Sequence, residues 1–154
     1  MLNNEFIYKI GDETIIDEIH ELWSELNQIH LEKSPHFKQH FKTFTFHDRK
    51  QSLLSHANKG KLLIILAYDN DTKIGYCASS IVDNIGEIES MYVKPDYRKK
   101  HVGTMFMEKS LEWIRSNDAK EIIVKVATGN KEVFEFYSKY GFKPRLTLLQ
   151  LTSH

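Results

Sequence analysis

The first part of the chain changes from a short apolar stretch to a helical period. Residues 6–10 predict a short strand. Over residues 13–31 the apolar positions recur at steps of three and four, which places them on one face of a helix. Those positions are Ile15, Ile19, Leu22, Leu26 and Ile29. Asp12 is suited to cap the start of this helix, and Ser34-Pro35 ends it.

The region that follows the first helix is less regular. Residues 36–47 are rich in Phe, Lys and His and predict an irregular or weakly helical segment. A second helix begins at His47 or Asp48 and runs to Asn58, where Gly60 closes it.

An antiparallel meander occupies the middle of the chain. The unbroken apolar run in residues 61–68 predicts a buried strand, and residues 73–82 predict the returning strand. Residues 69–72, Asp-Asn-Asp-Thr, have the composition of a hairpin turn. A second turn at residues 83–86 leads into a third strand over residues 87–93.

Helices and strands alternate in the second half. We predict a helix over residues 102–117, a strand over 121–127, a helix over 130–140 that ends at Gly141, and a last strand over 146–151. The element order is βααβββαβαβ. An antiparallel meander followed by strand-helix-strand steps indicates an α/β fold with a mixed sheet and helices on its faces. We expect one domain over residues 1–154.

Charge and cysteine content narrow the class of protein. Lys+Arg and Asp+Glu both number 21, so the net charge is zero and a general nucleic-acid-binding surface is not indicated. No apolar run approaches the roughly 20 residues that span a bilayer. Cys77 is the single cysteine and lies in an apolar run, as a buried structural thiol does. It excludes an internal disulfide and predicts a reducing, cytoplasmic location.

Residues 87–104 carry the strongest chemical signal. They predict a strand, a turn at Pro95, a basic loop and the start of a helix. Loop N–H groups and a helix N-terminus form a site for a phosphate or pyrophosphate. Arg98-Lys99-Lys100-His101 adds positive charge. An exposed basic cluster for nucleic acid or an acidic membrane is the alternative, but the flanking Pro95 and Gly103 favour the phosphate loop.

Two segments resemble signatures of one family. Residues 93–103, Val-Lys-Pro-Asp-Tyr-Arg-Lys-Lys-His-Val-Gly, resemble the acetyl-coenzyme A loop of the GNAT N-acetyltransferase superfamily, whose pattern is Arg/Gln-x-x-Gly-x-Gly/Ala. Residues 130–142 are similar to the family's Asn-x-x-Ala-x-x-Phe-Tyr-x-Lys-x-Gly-Phe segment. The element order also matches, so the resemblance covers essentially the whole chain, although residues 6–59 match only in outline.

The resemblance implies a GNAT-like acyl-coenzyme A N-acyltransferase fold with acetyl-CoA as the acyl donor. It implies transfer of the acetyl group to a primary amine of a small molecule, by direct attack in a ternary complex. The expected cofactor contacts are Met91, Tyr92, Val93, Arg98, Lys99, Lys100, His101, Val102, Gly103, Thr104, Asn130 and Tyr137. His101 stands where the family has a glycine, which permits a positive φ or close approach of the backbone to phosphate. A histidine can still adopt the left-handed backbone at some cost, and its imidazole could contact a phosphate.

The same resemblance implies that Tyr137 protonates the departing sulfur. Alternatively, Tyr137 is a core aromatic residue that packs beside Phe134 and Phe136. The base that deprotonates the amine is expected on residues 87–93. Strand alternation predicts that Glu87, Glu89, Met91 and Val93 share one face, where two carboxylates raise each other's pKa. We favour Glu89 over Glu87 as the base. The alternative is that both glutamates are solvated charges at the strand end and that ordered water takes the proton.

Other functions fit the same residues. Acetylation of a protein N-terminus or lysine is one alternative, and a non-catalytic acyl-coenzyme A sensor is another. Residues 28–48, which would select the acceptor, contain no recognisable motif. The histidines there lack metal-site spacing, so no metal is expected. They are His30, His36, His40 and His47.

The resemblance and the sheet pattern also predict two features of architecture. Strands 87–93 and 121–127 should run parallel and separate at their C-terminal ends, leaving backbone groups of Met91 and Val93 to pair with the pantetheine arm. The last strand leaves an open edge, and such an edge is a template for pairing with a second subunit, so we expect a homodimer.

Overall fold

A mixed five-stranded sheet with helices on both faces forms the centre of the computed structural model, which describes residues 5–152. The strands lie in sequence order across the sheet. They are β1 (Ile7–Gly11), β2 (Lys61–Asp69), β3 (Thr72–Val82), β4 (Ile85–Val93) and β5 (Glu121–Val124). The helices are α1 (His20–Lys33), α2 (Lys38–Thr43), α3 (Phe46–Lys59), α4 (Val102–Ser116) and α5 (Glu132–Ser138). Strands β1 to β4 pair antiparallel, and β4 pairs with β5 in parallel.

Local side-chain bonds fix where the N-terminal helices begin. The Asp12 carboxylate accepts a hydrogen bond from the Thr14 N–H at 2.9 Å, as predicted for a cap, and a 3-10 helix over Glu13–Ile19 follows. Thr45 and Asp48 form a reciprocal capping box, so α3 starts at Phe46. Gly60 closes α3, as predicted.

Two apolar layers hold the sheet between its helices. On one face, the 3-10 helix, α1 and α3 pack through buried Ile19, Leu22 and Leu53 against β2 and β3. On the other face, α4 packs through Phe106 and Ile114. Strand β2 is buried on both faces, which explains its unbroken apolar sequence. Among the described residues no helix has the length and apolar character needed to cross a membrane.

Several predicted boundaries were wrong in detail. The first helix is divided into a 3-10 helix and α1, and the weakly helical segment contains a regular short helix, α2. Strand β5 ends at Val124 and α5 covers only Glu132–Ser138. The predicted strand over residues 146–151 is absent, because this segment has no neighbouring strand to pair with in the described chain and stays exposed.

A β-bulge in β4 changes which side chains share a face. Ala78 pairs with Ser90, but Ser79 pairs with Ile88, so Glu89 is the extra residue. The extra residue reverses the alternation. Met91 and Val93 pack on the α4 face, whereas Glu89 contacts α3 on the opposite face. The prediction that Glu87, Glu89, Met91 and Val93 share one face was therefore wrong.

The pairing between β4 and β5 covers only the first half of β4. Their parallel register covers Ile85–Ile88 against Glu121–Val124 and then stops, while β4 continues to Val93. Residues 89–93 thus lack a strand partner on the β5 side. This confirms the predicted parallel pair. The pairing ends where β5 itself ends at Val124, so separation of the two strands stays a prediction. The unpaired edge of β4 beyond the end of β5 is called the gap below.

Candidate active site

The gap between β4 and β5 is bordered by the loop before α4. A short 3-10 helix over Pro95–Tyr97 ends β4, and α4 begins at Val102. Val102 is buried and anchors the helix start, while Lys99 and Lys100 remain exposed. The first N–H groups of an α-helix have no partner within the helix, so those of Val102, Gly103 and Thr104 are free to bind an anion.

Two residues of the loop have the positive φ angles that glycine adopts most easily. His101 has φ 67° and ψ 12°, and Lys99 has φ 61°, both in the left-handed region. His101 makes no side-chain bond to the helix start. His101 thus adopts the left-handed backbone that a glycine at this position would permit.

Gly103 is required for a different reason. A Cβ at this position would lie 3.3 Å from two ring carbons of Phe136. The first turn of α4 therefore packs directly against α5, and this contact ties the anion-binding loop to the helix that carries Tyr137.

Arg98 folds back over the end of β4 in this structure. Its Nε donates to the Val93 carbonyl oxygen at 3.1 Å, and its guanidinium lies 5.8 Å from the centre of the Tyr92 ring. Tyr92 is itself buried and donates through its hydroxyl to Glu25. The guanidinium thus stands beside the unpaired part of β4, at the entrance to the gap.

Tyr137 lies in the apolar layer beneath the gap. Its ring packs edge-to-face on Phe136 and Phe142, and burial raises the pKa of its hydroxyl, with smaller contributions from Cys77 and Tyr76. Cys77 and Tyr76 pair with Met91 and Tyr92 in the sheet. The Tyr137 hydroxyl therefore lies near the level at which β4 has lost its β5 partner, and it stays protonated at neutral pH.

Glu89 is held by three side chains from two other elements, β3 and α3. Its carboxylate accepts hydrogen bonds from Ser80 on β3 at 2.5 Å and pairs with His56 Nδ1 at 2.6 Å. Arg49 on α3 donates to the Glu89 backbone carbonyl at 2.5 Å and approaches its carboxylate at 3.4 Å. The side chain is 2% exposed. These bonds clamp the bulge and occupy the oxygens that a base would need.

Glu87 stands on the same side of the sheet with fewer partners. Only Lys125 pairs with it among the described residues, at 3.6 Å, and its side chain is 13% exposed. Burial raises the pKa of the Glu87 carboxyl, and the nearby charge of Glu89 raises it further. A carboxylate with a raised pKa and a free oxygen beside the gap is equipped to take a proton.

Asn130 lies at the entrance to α5, on the side of α1. Its Oδ1 accepts from Lys33 Nζ at 3.5 Å, and Lys33 also pairs with Glu132 at 3.0 Å. Gly129 permits this contact, because it has φ +103° and a Cβ there would lie 2.2 Å from the Lys33 carbonyl oxygen. The loop after β5 is therefore fixed against the C-terminal end of α1.

The residues around Glu89 were missed from the sequence. Arg49 and His56 are seven positions apart, which puts them on one face of α3, but nothing in that spacing identifies β4 as their partner. The sequence signal that could have found them was the presence of two polar residues, Arg49 and His56, on the side of α3 that faces the sheet. No group of His, Cys, Asp and Glu side chains within residues 5–152 is arranged to hold a metal ion.

The fold and the site define an acyltransferase-like class: a sheet that opens between two parallel strands, with a helix N-terminus at the mouth of the opening. The chain belongs to the acetyltransferase (GNAT) family, whose model matches residues 17–142. That family uses acetyl-CoA as its cosubstrate.

Relatives by sequence share part of the chain. Spermidine N(1)-acetyltransferase of Thermoplasma acidophilum is 29% identical over 82 residues, which are 53% of this chain and 51% of the relative. Streptothricin acetyltransferase A of Bacillus subtilis is 36% identical over 55 residues, 36% of this chain and 32% of the relative. A Bacillus subtilis protein provisionally named a [ribosomal protein bS18]-alanine N-acetyltransferase is 29% identical over 70 residues, 46% of each chain. The chain thus spans about half or less of the curated relatives it matches.

Similarity to solved structures extends over nearly the whole fold. The PaiA N-acetyltransferase of Thermoplasma acidophilum, solved in complex with coenzyme A, superposes with a TM-score of 0.73 at 19% identity, covering 93% of this chain and 92% of that one. The aminoglycoside N-acetyltransferase AAC(6')-Iy, also with coenzyme A, gives 0.66 at 14% identity, covering 97% and 95%. At these identities the similarity confirms the fold.

Proposed function

We propose that this protein is an N-acetyltransferase that moves the acetyl group of acetyl-CoA to a primary amine of a small molecule. The observation that supports this best is the opening between β4 and β5, with the α4 N-terminus at its mouth and Tyr137 beneath it. The named activities of the relatives, on spermidine, streptothricin and aminoglycosides, lie in the same class.

In this proposal the basic loop binds the pyrophosphate. The free N–H groups at the start of α4 and the charges of Arg98, Lys99 and Lys100 face the phosphates. Backbone groups of β4 residues 89–93 pair with the pantetheine arm, since they have no strand partner on that side. The acyl group then lies beside the bulge at Glu89.

The reaction needs one base and one acid. The amine nitrogen attacks the thioester carbonyl carbon, the C–S bond breaks, and the amine proton passes to the base. Tyr137 donates its phenolic proton to the departing thiolate. We now prefer Glu87 as the base, because Glu89 is engaged by Ser80, His56 and Arg49. Burial raises the pKa of Glu87, and the negative charge of Glu89 raises it further.

The acceptor approaches from the face of α1 and α3, where the two glutamates lie. Their negative charge favours a cationic amine. Acetylation of a protein N-terminus or a lysine uses the same chemistry, and the bS18-alanine relative supports this second candidate. We also propose a cytoplasmic location, in keeping with a free, buried Cys77, and a homodimeric assembly.

The test is release of free thiol from acetyl-CoA with a panel of amines: spermidine, aminoglycosides, free lysine and peptides with an alanine N-terminus. We expect turnover with a small polyamine or aminoglycoside above that with peptides. Preference for peptides would move the assignment to protein acetylation. Coenzyme A binding without turnover on any amine would indicate a sensor and overturn the enzyme proposal.

Tyr137→Phe is the diagnostic variant. Loss of a general acid lowers kcat by about 10²-fold, while coenzyme A affinity stays close to wild type. Tyr140→Phe is the matched control, because Tyr140 also packs on Phe136 but is not assigned to the reaction. Equal kcat in the two variants would remove Tyr137 from the mechanism and leave proximity as the main catalytic effect.

A further inference from the structure

A cationic side chain of α3 binds the main chain of β4 at the bulge. The Arg49 guanidinium donates to the Glu89 carbonyl oxygen at 2.5 Å and lies 3.4 Å from the Glu89 carboxylate. The Arg49 side chain is 17% exposed, and that of Glu89 is 2% exposed. The extra residue of a bulge is left out of the hydrogen-bond ladder between strands. A helix side chain therefore supplies the hydrogen bond that a neighbouring strand would otherwise supply.

Arg49 differs in this respect from the other two side chains that hold Glu89. Ser80 and His56 bind only the carboxylate, which lies at the end of a side chain with rotatable bonds. Arg49 binds the backbone carbonyl as well, so it restrains the main chain directly. Its planar guanidinium presents several donors in a fixed arrangement, which a lysine ammonium on a flexible chain does not.

The bulge decides which backbone groups of β4 face the gap. The Lys94 N–H donates to the Ile74 carbonyl oxygen at 2.8 Å, so the backbone of Lys94 faces β3. Backbone groups of successive residues in a strand point alternately to one side and the other. The groups of Tyr92 therefore also face β3, and those of Met91 and Val93 face the gap. One residue more or fewer in β4 would exchange these two sets.

The same residue sets the side chains on either side of the sheet. Met91 and Val93 pack in the α4 layer, which also contains Tyr137. On the opposite face, the Ser90 hydroxyl and the buried Tyr76 hydroxyl form a hydrogen bond at 2.5 Å. The position of the bulge thus fixes both the backbone edge at the gap and the side chains beside it.

We propose that Arg49 is a positioning residue, which holds the bulge so that the backbone groups of Met91 and Val93 stay directed at the thioester arm of acetyl-CoA. Arg49 acts through Glu89 and not on the reacting atoms. The inference rests on the proposed function and extends it to a residue of α3. A displacement of about 1 Å at a reacting centre costs about 10²-fold in rate, so a loosened bulge is enough to impair transfer.

Amide hydrogen exchange, followed by NMR with and without coenzyme A, tests the positioning without any turnover. In wild type, coenzyme A should slow exchange of the Met91 and Val93 amides, which are unpaired in the free protein. In Arg49→Gln, exchange over residues 89–93 should be at least about tenfold faster, and most of the protection by coenzyme A should be lost. Exchange in β2 should stay at the wild-type rate.

Lys50→Gln is the matched control for Arg49→Gln. Lys50 is the next cation on α3, but its ammonium pairs with Asp17 at 2.6 Å and does not contact β4 in the described chain. The control removes one charge and one ion pair from the same helix. We expect its exchange over residues 89–93 and its protection by coenzyme A to match wild type.

Thiol-release kinetics then separate positioning from general stability. Arg49→Gln should lower kcat by about 10- to 100-fold, while KM for the amine changes by less than about threefold. Lys50→Gln should have the wild-type kcat. Arg49→Lys should fall between wild type and Arg49→Gln, because lysine restores the positive charge but not the fixed arrangement of donors. Arg49→Lys also provides the comparison if Arg49→Gln does not fold.

Three outcomes would overturn the inference. They are wild-type exchange and protection over residues 89–93 in Arg49→Gln, an equal change in Lys50→Gln, and full recovery in Arg49→Lys, which would reduce Arg49 to neutralising the charge of Glu89. Turnover by wild type and Arg49→Gln at the same rate would also overturn it and leave the acetyltransferase proposal standing. Absence of turnover on every amine would overturn that proposal instead, while the exchange measurements would still decide whether Arg49 positions β4.

Discussion

Single residues decide how the two glutamates of β4 differ. Glu89 is the bulge residue and is bound by Ser80, His56 and Arg49, whereas Glu87 has one distant lysine. Identical side chains two positions apart thus have different chemistry, because the Glu89 carboxylate is saturated with hydrogen bonds, whereas the Glu87 carboxylate is largely buried with one ion-pair partner in the described chain. Sequence alone favoured Glu89; the contacts favour Glu87.

The pH dependence separates the two roles. Because the pKa of Glu87 is raised, wild-type kcat/KM should fall as pH falls, beginning above the ordinary carboxyl pKa of 4.5. Glu87→Gln should lower kcat/KM by about 10²-fold near neutral pH and remove that limb. In Glu89→Gln the limb should remain but move to lower pH, since a charge that raises the pKa is gone. Loss of the limb in Glu89→Gln alone would restore Glu89 as the base.

His101 stores backbone strain in the loop. A non-glycine residue in the left-handed region costs about 1–2 kcal/mol, and glycine returns about 0.4–1 kcal/mol of that in unfolded-chain entropy. His101→Gly should therefore stabilise the protein by up to about 1 kcal/mol in urea unfolding, while His101→Val should destabilise it. Lys100→Gly, without the left-handed backbone, is the control and should lower stability. A destabilised His101→Gly would show that the imidazole makes a compensating contact.

At the scale of elements, the site depends on how α4, α5 and β4 meet. The α4 N-terminus supplies N–H groups, Arg98 supplies charge, and Phe136 of α5 packs on Gly103. The sequence predicted α4 to within one residue of its end. The close approach of α5 could not be predicted, because it depends on the loop between β5 and α5 that Gly129 fixes on α1.

Charge reversal tests the loop as a pyrophosphate site. Arg98→Glu should weaken coenzyme A binding by at least about tenfold in titration calorimetry, since it places a negative charge beside the phosphates. Lys109→Glu is the control, because Lys109 lies further along α4, over the Tyr8 ring. If coenzyme A binds equally well to both variants, or fails to bind wild type at millimolar concentration, the loop assignment fails.

At the scale of the whole molecule, ion pairs connect the N-terminal elements to the sheet. Glu18 pairs with Lys9 on β1 at 2.9 Å and accepts from Tyr68 on β2. The hydrogen bond from Lys9 is the main cause that lowers the pKa of the Glu18 carboxyl below its usual 4.5. Three other carboxyl groups also have lowered pKa values. Hydrogen bonds from Thr14 lower the pKa of Asp12, and those from Thr45 lower the pKa of Asp48. Hydrogen bonds from its own backbone N–H and from Lys33 lower the pKa of Glu132.

Acid unfolding follows from these directions. A carboxyl with a lowered folded pKa stabilises the fold above its unfolded pKa, and this contribution is lost as pH falls through the folded pKa. Urea midpoints should therefore be steady at neutral pH and decrease below about pH 4.5. Glu18→Gln should reduce the midpoint at pH 7 and flatten the decrease; Glu21→Gln, on an exposed position of α1, should do neither. An unaltered acid limb in Glu18→Gln would contradict the role of the Lys9 pair.

The sequence by itself determined most of the elements and the family. The apolar period predicted the helix over residues 13–31, the unbroken apolar run predicted β2, and the residue order of the two motifs indicated the family, because each of these signals is local in the chain. Some helix starts differ by a residue or two from the predicted ones. The capping box of Thr45 and Asp48, for example, starts α3 at Phe46 and not at His47 or Asp48.

Only the tertiary structure decided the rest. The bulge at Glu89, its bonds to α3, and the early end of the β4–β5 pair depend on residues 30 to 40 positions apart in sequence. The strand predicted over residues 146–151 was wrong, because these residues have no strand partner in the described chain. Pairing requires a neighbour, and this chain leaves its leucines and its β5 edge apart. A strand former becomes a strand only where a sheet edge meets it.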